Sequence, residues 1–281
     1  MTEKSVGAEN LKILQEQLCK MLKEFKEKCD EHGIEYCLAF GTLLGAIRHG
    51  GFVPWDDDID LFMKREDADR FVELFKDYYS EDCYIDGYNC KEYNSFAPNI
   101  RINSKHFLLR QDKNGKEAYL PAFLSIFIID GLPNNKFLRK IQIRRMDFYY
   151  NILRVSRSCI QGVPNIKNRS IKDKIFIALN KTFRFGAIVP PRKAAEWFNN
   201  AQRKYVLKEN NNFVHIDFPG QVNRVVEKSI FDNFIYHDFD GVQHKIPKNY
   251  DKLLTIFYGD YMQLPPEEAR VPQHGTEFKI V

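Results

Sequence analysis

Gly41-Thr-Leu-Leu-Gly-Ala-Ile-Arg-His-Gly-Gly-Phe-Val-Pro-Trp-Asp-Asp-Asp-Ile-Asp-Leu-Phe-Met63 packs a turn signal, a short helical piece and a run of carboxylates into one stretch. The apolar run at 34–40 before it predicts a strand that ends in a Gly41-Thr42 turn. Residues 43–48 then read as a brief helix, closed by His49-Gly50-Gly51. Asp56-Asp57-Asp58-Ile59-Asp60 enters the apolar Leu61-Phe62-Met63, which predicts a second strand. In a strand, residues two apart share a face, so Asp58 and Asp60 point one way and Ile59 points into the core. Asp56 has the same parity. Carboxylates held side by side repel and resist sharing a buried site. A divalent cation removes that conflict, and an all-oxygen donor set favours Mg²⁺ or Mn²⁺ over zinc.

Acidic runs are usually solvated loops, and an isolated Asp-x-Asp occurs by chance in many chains. The order of the elements is what singles this one out. Strand, Gly-Thr turn, short helix and Asp-x-Asp strand together let turn amides hold a phosphate while a metal bridges its other oxygens. That is the layout of the nucleotidyltransferase fold. The expected class is therefore α+β, a nucleotidyltransferase-like mixed sheet flanked by helices.

Composition sets the outer bounds. A chain of 281 residues, 44% hydrophobic and 28% charged, is long enough for a substantial core and has the make-up of a water-soluble globular protein. Its net charge of +4 says little about partners. The cysteines Cys19, Cys29, Cys37, Cys83, Cys90 and Cys159 form no CxxC pair or disulfide framework and read as reduced thiols. The first residues lack the apolar core of a signal peptide, and no window approaches a membrane span. The expected location is cytoplasmic, peripheral at the inner face of the membrane.

The remaining elements follow from periodicity. Leu11, Leu14, Leu18, Met21, Leu22 and Phe25 predict an amphipathic helix over 8–31, capped by Gly33. A second helix is expected over 65–79, and short strands between 82 and 107. Asp112-Lys-Asn-Gly115 signals a hairpin, and 119–130 a buried strand. From 134 to 186, Lys and Arg outnumber Asp and Glu by thirteen to two, with interleaved apolar residues that suggest basic helices, one over 171–183. Nucleic-acid binding would call for a stacking platform or a known module, and neither is present, so no nucleic-acid partner is expected. Two readings of the basic region stay open: a solvated face, or a peripheral contact with an anionic membrane or polyanionic acceptor. A helix over 192–205, a strand over 213–218, a stretch over 225–234 that leads into another short strand, and a helix over 250–257 complete the chain. The domain reading is a catalytic core at 1–133, a mostly helical basic insertion at 134–208, and a segment at 209–281 that completes the core.

The stretch 41–63 resembles the signature of the LicD family, which includes bacterial phosphocholine transferases and, more distantly, fukutin-type sugar-phosphate transferases. A second match lies at Tyr258-Gly-Asp-Tyr-Met-Gln-Leu-Pro-Pro-Glu-Glu268 with Arg270 and His274, where LicD-like proteins carry Tyr-Gly-Asp-Tyr-Met followed by Pro-Pro, Arg and His. The resemblance implies metal-dependent transfer of a phospho-alcohol group, phosphocholine in the bacterial branch, from a CDP-activated donor. The acceptor would be a hydroxyl of a cell-surface glycan, such as teichoic acid or lipopolysaccharide, or of its lipid-linked precursor, with CMP released. A plain nucleotidyltransferase, or a non-catalytic nucleotide- or glycan-binding member, are the alternatives.

On this reading Asp58 and Asp60 are metal ligands and catalytic residues, and Asp56 serves the metal through water. Gly41 and Thr42 offer donors to the phosphate, and Arg48 and His49 contact its oxygens. Arg101 is either a phosphate contact or the solvent side of a half-buried strand. LicD-like sequences carry Asp-Ile-Phe-Pro and then Leu-Asp-Gly where this chain has Ser125, Ile128 and Asp130-Gly131. Either the site has two protein carboxylates, or Asp130 supplies the third and acts as general base, or activity is reduced or lost.

Overall fold

A computed structural model describes residues 3–91, 94–113, 116–161, 188–207, 211–216, 225–273 and 277–281. The expected helix over 171–183, His274 and the tip of the 112–115 turn lie outside them. Helix α1 (Glu3–His32) starts earlier than its apolar periodicity predicts, and its stripe from Leu11 to Cys29 is buried. Gly33, at φ 62, ends it, a conformation that costs a residue without a β-carbon little. Strand β1 (Tyr36–Leu38) is shorter than expected, because helix α2 (Phe40–His49) begins at Phe40. Gly41 and Thr42 therefore sit in the first turn of α2 and do not form a separate turn. The chain reverses at Phe40, whose φ of 37 is strained for a residue with a β-carbon. Edge-on contacts with Phe62, Phe127 and Phe257 at 4.8–5.0 Å hold the Phe40 ring in place.

Strand β2 (Ile59–Lys64) runs into helix α3 (Arg65–Phe75), and then come β3 (Cys83–Asp86), β4 (Ile100–Lys113) and β5 (Lys116–Leu132). The last two pair as the expected hairpin, β5 covering the expected buried strand and β4 being one long strand where short ones were expected. Next are helices α4 (Lys136–Gln161) and α5 (Pro191–Gln202), and strands β6 (Phe213–Ile216) and β7 (Val225–Glu227). The hairpin β8 (Phe234–Phe239)–β9 (Val242–Pro247), helix α6 (Tyr250–Tyr258) and strand β10 (Phe278–Ile280) follow.

The main sheet runs β1-β2-β5-β4-β10, with β3 also on β4, and β6 joining the end of β5 to β7. β2 and β5 are parallel and the other pairs antiparallel, so this is a mixed sheet flanked by helices, as the sequence predicts. Its core takes in Leu14, Leu18, Phe25, Leu38, Phe62, Phe71, Ile126 and Ile128. A second cluster, with Met146, Leu153, Ala195 and Phe198, joins α4 to α5. Cys19, Cys29, Cys37, Cys83 and Cys90 are free thiols. Among the described residues no helix is long and apolar enough to cross a membrane.

Candidate active site

The register of the sheet builds the site. Asp60 on β2 lies beside Ser125 on β5, and Ser125 lies beside Arg101 on β4, so three strands present acid, hydroxyl and guanidinium in one row. On β5 the alternation is clean: Phe123, Ser125 and Phe127 face a cleft, while Leu124, Ile126 and Ile128 are fully buried behind them. The cleft encloses about 420 Å³. Phe40 and Gly41 of α2 and Asp56, Asp58 and Asp60 form one wall, and Asn99 and Arg101 another. Tyr150 and Arg157 of α4, Phe257 and Tyr258 at the end of α6, and Gln273 close it.

The start of α2 is clamped to β2 at Asp60. Ala39 N–H donates to the Asp60 carbonyl at 3.0 Å, and Asp60 N–H donates to Thr42 Oγ1 at 2.8 Å. Thr42 is buried, and its hydroxyl oxygen serves this clamp. Asp56 N–H donates to the Val53 carbonyl at 2.8 Å, and the Asp56 carbonyl accepts from Gln15 Nε2 at 2.9 Å, which fixes the acidic loop to α1. The Asp56 carboxylate lies over Gly41 so closely that a β-carbon there would stand 2.6 Å from Oδ2.

Carboxylate oxygens of Asp56, Asp57 and Asp58 lie within 4.8 Å of one another. Asp57 thus belongs to the group that could hold a cation, and Asp60 stands beside it and not within it. Burial of the Asp60 carboxyl, and then the charges of Asp58 and Asp56, push its pKa well above the usual range. This all-oxygen set, costly to ionise together, fits a hard divalent cation such as Mg²⁺ or Mn²⁺. Burial of its phenol, followed by Asp60, Asp56 and Asp58, also pushes the Tyr258 pKa up, so its O–H stays a donor.

Arg101 is drawn into the cleft. Its guanidinium stacks 4.2 Å from the centre of the Phe123 ring, and its Nε is buried without a hydrogen-bond partner. Burial, and then the charge of Arg157, lower its pKa, opposed by Asp86, Asp58 and Asp60. Two guanidinium groups in one cleft, one with a buried orphan donor, form a receptor for an anion.

Four expected site residues are placed elsewhere, Thr42 in its clamp to Asp60 and Arg48, His49 and Asp130 as follows. Arg48 donates from Nη1 to the carbonyls of Tyr261 at 2.7 Å and Gln263 at 3.4 Å, and from Nε to His49 Nε2 at 2.9 Å. Arg48 thus fastens the C-terminal segment to α2, His49 only accepts from Arg48, and neither lines the cleft. Asp130, five residues past Ser125, has the opposite parity and is buried against Arg65, which donates to its two oxygens at 2.7 and 2.6 Å. It is committed to an ion pair one layer away. Arg270 stacks on Trp55 at 5.7 Å, and the described part of that segment reaches the cleft through Gln273. Sequence reading missed Tyr150 and Arg157, although a spacing of seven puts both on one helical face. It also missed Phe123 and Phe127, which share the parity of Ser125.

Against known proteins, the sequence model of the LicD/FKTN/FKRP nucleotidyltransferase domain matches residues 33–123. The chain is 34% identical over 272 residues to the lipopolysaccharide cholinephosphotransferase LicD of Haemophilus influenzae, covering 95% of this chain and 97% of that one. The chain belongs to the LicD family. It is also 48% identical over 42 residues to the human ribitol 5-phosphate transferase FKRP, 15% of this chain and 8% of that protein. The matched residues take in β2 and β4 with Asp60 and Arg101, and β5 only as far as Phe123, two residues short of Ser125.

Proposed function

We propose that this LicD-family protein transfers phosphocholine from CDP-choline to a hydroxyl of a cell-surface glycan or its lipid-linked precursor, releasing CMP, at the cytoplasmic face of the membrane. The observation that carries the reading is the cleft in which a carboxylate cluster faces Arg101, whose buried Nε lacks a partner. That is the charge pattern a pyrophosphate needs: cationic donors for its oxygens, and carboxylates to hold Mg²⁺ or Mn²⁺ against them. The cholinephosphotransferase named above, alike over nearly its whole length, supports the choice of alcohol.

Asp58 and Asp60, with Asp56, would hold the metal. When bound, it neutralises charge developing on the leaving phosphate and helps align the displacement. The protein's own groups do the rest. Arg101 and Arg157 grip pyrophosphate oxygens, Arg101 through its free Nε. The Tyr258 O–H donates toward the same anion. Phe123, Phe127, Tyr150 and Phe257 give aromatic faces on which a quaternary ammonium can rest by cation–π attraction. Gly41, with no side chain, leaves room for the Asp56 carboxylate. Ser125 is not basic and Asp130 is tied to Arg65, so the acceptor's proton passes to one of the cleft carboxylates.

The test is to incubate the protein with Mg²⁺, a panel of CDP-alcohols and candidate glycan acceptors, and to measure CMP. CMP released with CDP-choline and lost in Asp58→Ala and in Asp60→Ala is the expected result. Pyrophosphate released from a nucleoside triphosphate instead would identify a nucleotidyltransferase. CMP release unchanged in both variants would remove these residues from the site.

A further inference from the structure

We infer that the outward face of α4 is a docking surface for an anionic lipid bilayer. Helix α4 has three working faces. One packs on α5 through Met146 and Leu153, and a second gives Tyr150 and Arg157 to the cleft. The third carries Phe137, Ile141, Arg144 and Phe148 at intervals of four, three and four residues, which is one stripe of a helix. Phe137 is 71% exposed, Phe148 61% and Ile141 47%, a degree of exposure that large apolar side chains avoid unless something covers them. Beside the stripe, Lys136 and Lys140 are exposed like Arg144, and none of the three has an ion pair among the described residues. Arg139, by contrast, turns inward to the carbonyls of Pro133 and Asn134. The aromatic belt continues from Phe148 to Tyr149 at 5.3 Å and on to Trp197 of α5 at 6.4 Å. Trp and Tyr beside a basic apolar stripe are the composition of a membrane interface.

Charge decides between occupants. A second copy of the chain across a two-fold axis would set Lys136, Lys140 and Arg144 against their own kind, which is unfavourable. Nucleic acid would use the cations but gain nothing from Phe137, Ile141 and Phe148. An anionic bilayer satisfies both halves: headgroups for the cations and an acyl boundary for the rings. Tyr150 and Arg157 lie on the side of α4 opposite the stripe, so docking would set the cleft one helix width, ~10 Å, from the lipid surface, within reach of the glycan of a lipid-linked acceptor. The proposal rests on the surface of α4 and not on the transfer reaction, and it is tested without donor or acceptor, so the two can fail separately.

The test is sedimentation of the full chain with vesicles of phosphatidylcholine alone and of phosphatidylcholine mixed with phosphatidylglycerol. The chain should pellet with the mixed vesicles only and be released by salt. Phe137→Ser/Phe148→Ser, and separately Lys140→Glu/Arg144→Glu, should each lower partitioning at least about tenfold, with far-UV circular dichroism and Tm unchanged. The proposal is overturned if the parent stays in the supernatant with both vesicles or pellets equally with both. It is also overturned if either double variant binds like the parent, or if a DNA duplex is bound more tightly than the mixed vesicles. A parent dimer that Phe137→Ser/Phe148→Ser makes monomeric would assign the face to a second copy instead.

Discussion

At Gly41 a single hydrogen atom decides where a carboxylate stands. A β-carbon there would come 2.6 Å from Asp56 Oδ2, and since that neighbour is the end of a side chain, the carboxylate moves and the backbone stays. Gly41→Ala should therefore leave Tm nearly unchanged while lowering transfer about a hundredfold, the scale expected for a misplacement near 1 Å. Steady-state kinetics beside a thermal melt separates the two effects. Asp130 should behave in the opposite way. Asp130→Ala leaves Arg65 as an uncompensated buried charge and should cost about 3–5 kcal/mol of stability in a denaturant titration. Mg²⁺ affinity of the folded fraction should be unchanged, because Asp130 does not line the cleft. Nothing local in the sequence marks this difference. Asp130 stands in the right strand, and the partner that removes it from the site, Arg65, comes from the start of α3, one residue past the end of β2, where the parallel register brings it beside Asp130. That Asp58 and Asp60 face one cleft, by contrast, was legible, because alternation along the chain is a local property.

Among elements, the parallel pair β2–β5 holds the position where a third carboxylate is expected. Ser125 is in register with Asp60 on one side and with Arg101 on the other. Ser125→Asp would put like charges on neighbouring strands beside an Asp60 carboxyl that already resists ionisation. The metal-free variant should lose about 1–2 kcal/mol of stability, and added Mg²⁺ should reverse the loss and bind several-fold more tightly than to the parent. Melts with and without Mg²⁺, together with calorimetric titration, read both signs. If Mg²⁺ binds the variant no better than the parent, position 125 is not a vacant ligand position. The order of strands and helices here was readable from sequence because each has its own period. The start of α2 was not. Gly41-Thr42 carries a turn's composition, but the turn is made one residue earlier at Phe40, whose strained backbone is held by Phe62, Phe127 and Phe257, contacts no local pattern reveals.

On the scale of the whole molecule, parts distant in sequence are joined by a few polar fasteners. His244 of β9 is buried, and its Nδ1 hydrogen-bonds the Tyr36 hydroxyl of β1 at 3.0 Å, pinning the β8–β9 hairpin to the sheet. Burial, and secondarily the charge of Lys26, push the His244 pKa down to about 4. The unfolded chain takes up that proton near pH ~6.5 and the folded one does not, so the contribution is complete above that pH. It is lost as the pH falls toward about 4. The full effect is on the order of 3 kcal/mol. The fall in unfolding free energy between pH 7 and pH 4.5 should therefore be smaller in His244→Gln than in the parent, and a slope equal in both would remove His244 as its source. Sequence reading recovered the mixed sheet but not this hairpin's attachment, because the two partners lie far apart and neither carries a motif. The same spread governs the cleft, whose walls come from residues 40–60, 97–101, 123–127, 150–157, 257–258 and 273. During synthesis the acidic loop and the Arg101 strand leave the ribosome long before α6 and the segment that Arg48 anchors. A nascent chain therefore carries its signature residues without a working pocket, and an interrupted translation product would be catalytically silent even when most of its sheet has formed.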